Sequence, residues 1–310
     1  MKKFLVLFLL VFCLVGLTAC KDKVTEIKVV GNSVPEVIYA ENLDNELTKI
    51  QIEVTTSKGN NNIVNLEKSM ISEADYSKLT AHGSYDISIN YEGATTSVYL
   101  TVIPQSAYTV KVVYPNGNPV NNGVSVQWCT DTTCKLPAYV NNYGLAFSEI
   151  EEDSYFIHIE GIPSGYTYDP NAYTASPTSK NAEIKLISLI ELTGEGSISN
   201  PYVTNVGAFT VTYQAKVTEY QYFTFTPVED GVYSIKSLAV DKLATNTIDP
   251  YIGFLGTTDD MSQIDVSGNN PLQLNFNHTF TATANTTYKF IVFVSDATRF
   301  PASFDIQITK

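Results

Sequence analysis

The side chains with the most chemical scope in this 310-residue chain are four cysteines, three histidines and a group of aspartates. Cys129 and Cys134 lie close together in the sequence. With no histidine or second cysteine pair beside them they are too few for a zinc site. A local disulfide in an oxidising compartment suits them, two free thiols being the alternative. Asp249, Asp259, Asp260 and Asp265 fall between two strand-like runs, with Asn269 and Asn270 near. Ca²⁺ takes roughly six to eight oxygen ligands from carboxylates and carbonyls, so such a loop could hold one. The spacing is not that of an EF-hand, and a solvated acidic loop is the alternative. Calcium is the only cofactor suggested. His82, His158 and His278 stand in no Ser-His-Asp, Cys-His or His-x-x-x-His arrangement, and are read as surface or packing residues. No Gly-rich phosphate loop or Gly-x-Ser-x-Gly elbow occurs. Catalytic groups meet in space rather than in sequence, so this points away from an enzyme without excluding one.

A third thiol, that of Cys20, follows a patterned N-terminus. Lys2 and Lys3 precede an apolar stretch over 4–17, then Leu17-Thr18-Ala19-Cys20 and the charged Lys21-Asp22-Lys23. The stretch is shorter than the ~20 residues that span a bilayer. Basic start, short apolar run and small residues are the parts of a secretory signal. With the cysteine directly after them, they resemble the lipobox of bacterial lipoproteins. The resemblance implies that Cys20 receives a diacylglyceryl group, that residues 1–19 are removed, and that the protein is lipid-anchored outside the cytoplasmic membrane. The membrane is then the first expected partner.

The acids outnumber the bases, 32 to 19, for a formal charge of −13, and losing Lys2 and Lys3 makes the balance more acidic. This argues against nucleic acid and against electrostatic docking on anionic lipid. The only arginine is Arg299, which disfavours anionic ligands, since arginine is the usual bidentate partner of carboxylate and phosphate.

The elements that must carry these residues are strands. Twenty Tyr and 15 Phe recur with Val, Ile and Thr in short alternating runs, and such residues fit a pleated, half-buried surface. Only 72–79 offers a short helix. The fold expected is all-β: three tandem β-sandwich modules behind the signal peptide, with a charged tether over 20–28.

The first module, 29–104, alternates at Ile50-x-Ile52-x-Val54, Tyr85-x-Ile87-x-Ile89-x-Tyr91 and Val98-x-Leu100-x-Val102, with Glu92-Gly93 as a hairpin turn. Its stretch 83–102 resembles the closing hairpin of bacterial immunoglobulin-like domains, spacer or adhesive sandwiches without catalytic residues. The second module, 105–189, alternates at Val110-x-Val112, Val124-x-Val126-x-Trp128 and Tyr155-x-Ile157-x-Ile159. Turns are expected at Pro115-Asn116-Gly117-Asn118-Pro119 and Asn142-Tyr143-Gly144. Asn116-Gly117-Asn118-Pro119-Val120 with Gly161-Ile162-Pro163-Ser164-Gly165-Tyr166 resembles transthyretin-like sandwiches, including collagen-adhesin B-type repeats. Some of those form a Lys–Asn isopeptide bond assisted by a buried Glu. Lys111 and Glu160 are the nearest counterparts. Glu160, however, sits one residue closer to Pro163 than in that pattern, and a one-residue slip turns a strand side chain to the other face. Both are read as solvated charges.

The third module, 190–310, carries Tyr222-Phe223-x-Phe225, Gly231-x-Tyr233-x-Ile235, Asp249-Pro250-Tyr251-Ile252, Thr287-Tyr288-Lys289-Phe290-Ile291-Val292 and Phe304-x-Ile306-x-Ile308. The run 290–294 is apolar on both faces, as in a covered central strand. This order resembles the jelly-roll-like C-terminal domains of secreted bacterial peptidases, related in shape to carbohydrate-binding modules. Together these features lead to a non-enzymatic cell-surface lipoprotein presenting a binding unit for a surface glycan, protein or envelope ligand. The alternative is an accessory module or remnant of a secreted hydrolase or peptidase system. A transporter's substrate-binding lipoprotein would need alternating strands and helices that are absent. Exposed tyrosines could line the binding surface, but the sequence does not choose among them.

Overall fold

The computed structural model describes residues 22–121, 123–214, 220–238, 248–261, 265–267, 275–297 and 301–310. The leader, Cys20 and Arg299 lie outside the described residues. Backbone contacts divide the chain after Ala107 into two units.

The first unit pairs β1 (Val24–Val29), β3 (Gln51–Thr56) and β4 (Asn61–Asn65) in one antiparallel sheet. Facing it are β2 (Ile38–Tyr39), β6 (Ala94–Ile103) and β5 (Gly83–Tyr91). Ile27, Ile52 and Val54 from the first sheet and Ile87, Ile89 and Leu100 from the second meet in one core, which makes the unit a sandwich. Glu92 and Gly93 turn β5 into β6 with φ of 48° and 92°, the left-handed pair that a tight hairpin requires. Two short helices cover the core. α1 (Leu43–Leu47) buries Leu43 and Leu47. α2 (Glu73–Lys78) is capped by the Ser72 hydroxyl, which accepts from the Asp75 N–H, and so fills the expected 72–79 segment. The expected tether is a correction: Val24–Val29 is a strand. Ile27 is buried while Glu26 and Lys28 face outward and pair at 3.0 Å, so the charges between the apolar positions mask a one-faced strand.

The second unit contains two cores. Around the first, β10 (Leu145–Ser148), β7 (Tyr108–Val113) and β14 (Asn181–Lys185) form one sheet. β13 (Thr174–Ala175), β11 (Tyr155–Glu160), β8 (Ser125–Cys129) and β9 (Ala138–Tyr139) form the other. Tyr108, Val110 and Val112 pack on Val126, Trp128 and Ile157 between them. A two-stranded ribbon of β12 (Tyr166–Thr167) and β15 (Ile187–Ser188) leads onward.

Around the second core, β16 (Tyr202–Thr204), β18 (Gln221–Phe225), β23 (Tyr288–Ala297), β20 (Ile248–Gly256) and β21 (Asp265–Ser267) form a five-stranded sheet in that order. β17 (Gly207–Tyr213), β24 (Ala302–Thr309), β19 (Gly231–Ser237) and β22 (Asn277–Ala282) form the opposing sheet. Phe225 meets Tyr233 across the interior at 5.2 Å, and Phe223 stacks on Phe290 at 5.0 Å. The Tyr213 hydroxyl donates to the Val292 carbonyl at 2.7 Å, and its burial pushes that hydroxyl's pKa well above the ordinary phenol value. The fold is thus all-β sandwich throughout.

Candidate functional site: the outer face of the five-stranded sheet

Alternation along β18, β23 and β20 sends Phe223, Phe225, Phe290, Val292 and Ile252 into the core. Their neighbours must then stand on the opposite face. There Phe293 lies directly opposite Tyr251 in the β20–β23 register, and the two rings stack at 5.3 Å with an interplanar angle of 14°. On the other side of Phe293, the ring of Tyr220, just before β18, meets it edge-on at 5.4 Å. Tyr220, Phe293 and Tyr251 therefore make a row of three rings across three strands. Tyr220 is 46% exposed, and the other two are half-buried.

The next row is Tyr222, Ile291 and Gly253, registered as cross-strand partners. Ile291 is fully buried and Gly253 is buried as well, so this middle row is covered, unlike the ring row beside it. Beyond it Lys289 bonds both carboxylate oxygens of Asp259 at 2.7 Å. Tyr222, Thr224, Leu255, Lys289, Asp259 and Ile198 border a cleft of about 280 Å³ there. That is below the usual volume of an enclosing small-molecule pocket, ~300–1,000 Å³. Phe293 is thus packed by the ring of Tyr251 on one side and by the edge of Tyr220 on the other, and the cleft ends at an ion pair neutralised within itself.

The residues singled out in the sequence are placed as follows. Cys129 and Cys134 are bonded to each other, closing the turn after β8, where Thr130 N–H donates to the Thr133 carbonyl. Asp249 pairs with Asp296 at one end of β23, whereas Asp259 is held by Lys289 at the other. Seven strand residues separate those ends by ~23 Å. The four aspartates expected to share a calcium ion therefore do not surround one point. Asp260 follows Asp259 directly, and Asp265 starts β21 opposite Phe254. Among the described residues no group of three His, Cys, Asp or Glu side chains forms a metal site. Lys111 lies on β7 between the core residues Val110 and Val112, and its sheet neighbours are Leu145 and Glu183. Glu160 is exposed at the end of β11, 3.5 Å from His158, so it is not the buried acid of an isopeptide site. His278 is buried against Phe254 at 4.6 Å, and His82 is exposed.

A second groove, of about 400 Å³, runs between β11 and β13, lined by Tyr155, His158, Asn171 and Ser176 among others. The Ser176 hydroxyl there is engaged within its own turn, 3.2 Å from Thr178 Oγ1 and accepting from the Ser179 N–H.

No family model matches the chain, and no curated protein matches it. Among solved structures it is similar to the pre-peptidase C-terminal domain of a collagenase from Bacillus anthracis. That likeness has 10% identity and a TM-score of 0.26, covering 34% of this chain and 92% of that one. It is also similar to BcpA, the major pilin subunit of Bacillus cereus, with 11% identity and a TM-score of 0.25, over 66% of this chain. A DUF3823 family protein from Parabacteroides merdae is similar at 12% identity and a TM-score of 0.21, over 66% of this chain and 98% of that one. The chain spans 59% of the pilin subunit's length, less than two thirds of it.

Proposed function

We propose that the chain is a non-enzymatic cell-surface lipoprotein, anchored outside the cytoplasmic membrane through Cys20, whose third module binds a neutral polysaccharide. The row Tyr220, Phe293 and Tyr251 carries this reading. Pyranose rings present flat C–H faces that stack on aromatic rings while their hydroxyls remain in water. Three rings in line favour a chain of sugars over a single one. The Cys129–Cys134 bond suits an oxidising, extracytoplasmic setting. Lys289, at the edge of this face, is already bonded to Asp259.

Affinity electrophoresis through gels cast with neutral and with acidic polysaccharides tests it. Wild-type protein should be retarded by a neutral polymer, and Tyr251→Ala and Tyr220→Ala should each lose most of the retardation. Unchanged retardation in both variants, or retardation by acidic polymers alone, would overturn the proposal.

A further inference from the structure

Asp22, two positions after Cys20, is already part of the folded body. One of its carboxylate oxygens accepts from Thr56 Oγ1 at 2.8 Å and from Asn60 Nδ2 at 3.2 Å. The other accepts from Ser57 Oγ at 3.0 Å and from the Lys58 N–H at 3.1 Å. Desolvation alone would raise this carboxyl's pKa, but the four hydrogen bonds outweigh it and hold the group below its ordinary 3.8. Next to it the Ser57 N–H donates to the Lys23 carbonyl at 2.8 Å. The chain start is thus clasped onto the turn joining β3 to β4.

One residue, Lys21, separates this clasp from Cys20. Two fully extended residue steps reach only about 7 Å. The headgroup layer on each side of a bilayer is itself ~5–8 Å deep. A lipid on Cys20 therefore cannot sit in the bilayer while the β3–β4 turn stands far from its surface. We infer that the first unit docks directly on the phospholipid headgroups through the Asp22 clasp and the turn from Thr56 to Asn60, an inference that rests on the lipidation of Cys20 proposed above. Lys23 and Lys58 are both exposed at this clasp, on an otherwise acidic chain, and complement anionic headgroups. The acyl chains supply the holding, and the lysines set which face meets the surface.

The test uses the full lipoprotein, purified from the bacterial membrane and placed in vesicles of phosphatidylcholine and phosphatidylglycerol. With Cys129 and Cys134 bonded, Lys58→Cys or Ser69→Cys adds one reactive thiol for a fluorophore. Ser69 lies past the far end of β4, ~15–20 Å from the turn. Headgroup spin-labelled lipid should quench the Lys58 probe several-fold more than the Ser69 probe. A long Gly–Ser insert between Cys20 and Lys21, which leaves the folded unit untouched, should erase that difference. Equal quenching at both positions, in protein that incorporates labelled palmitate, overturns the docking alone. Absence of labelled palmitate from the wild type, or undiminished label in Cys20→Ala, overturns the lipid reading and the docking with it.

Discussion

One tyrosine recurs in the same role in all three cores. The Tyr85 hydroxyl donates to the Ala81 carbonyl at 3.2 Å and to that of His82 at 3.1 Å. Tyr155 donates to Glu151 at 2.8 Å, and Tyr233 to Glu229 at 3.0 Å. In each core one such bond reaches back four residues, from the start of a strand to the loop feeding it, and fixes where that strand enters the sandwich. Gly83 serves the first case, because a Cβ there would come within 2.8 Å of the Tyr85 hydroxyl. Tyr233 is almost wholly buried, at 1% exposure, so Tyr233→Phe removes one donor and leaves the ring packing in place. Loss of such a bond should cost about 1 kcal/mol of stability, read as a lowered urea midpoint with an unchanged slope. The Gly-x-Tyr pattern was visible in the sequence at 83–85 and 231–233. The ring row was not. Phe293 read as one more apolar residue of a covered strand, because alternation separates two faces without saying what lies over each. Asp249 and Asp259 failed in the opposite way. They are near in sequence but a full strand apart in space.

The long strands declared themselves through period two, since a one-faced strand must alternate. Elements of two residues did not. β9, β12, β13 and β15 are edge or ribbon pieces too short to show any period. α1 escaped for the same reason: Leu43 and Leu47 lie one turn apart on a helix of five residues, less than two turns of signal. At this scale the Cys129–Cys134 bond acts as a clip on the turn that follows β8. Cys129 is fully buried beside Trp128, and the Lys135 N–H donates back to the Trp128 carbonyl at 2.9 Å. Loop closure over so few residues is worth at most about 2 kcal/mol in the chain-entropy account. Reduction should therefore lower the unfolding midpoint followed by the fluorescence of Trp128, the chain's one tryptophan, without unfolding the module. A red-shifted, fully solvated Trp128 spectrum upon reduction in native buffer would show that the clip is instead required for the fold.

At the scale of the molecule, the two cores of the second unit are joined by more than a linker. Leu189 bridges to Ala208, and the Ile190 N–H donates to the Ala208 carbonyl at 2.7 Å. Ile190 also packs on the third core. Asp169 reaches from the second module to Lys236 of β19 at 2.7 Å, with both side chains at least two-thirds buried. An ion pair between partly exposed side chains is worth about 0–1 kcal/mol. For a unit of this size, 1 kcal/mol moves the melting temperature by roughly 2–4 °C. A fragment spanning Tyr108 to Lys310 should therefore melt in one transition, with Trp128 fluorescence and far-ultraviolet circular dichroism coinciding. A fragment from 190 to 310 should still form β structure, because its core is complete, but should melt several degrees lower. Asp169→Ala in the longer fragment should move the circular dichroism midpoint part of the way toward that value. If the short fragment melts at the same temperature as the long one, the joint at Leu189 carries no coupling, and the second and third sandwiches are thermodynamically separate domains.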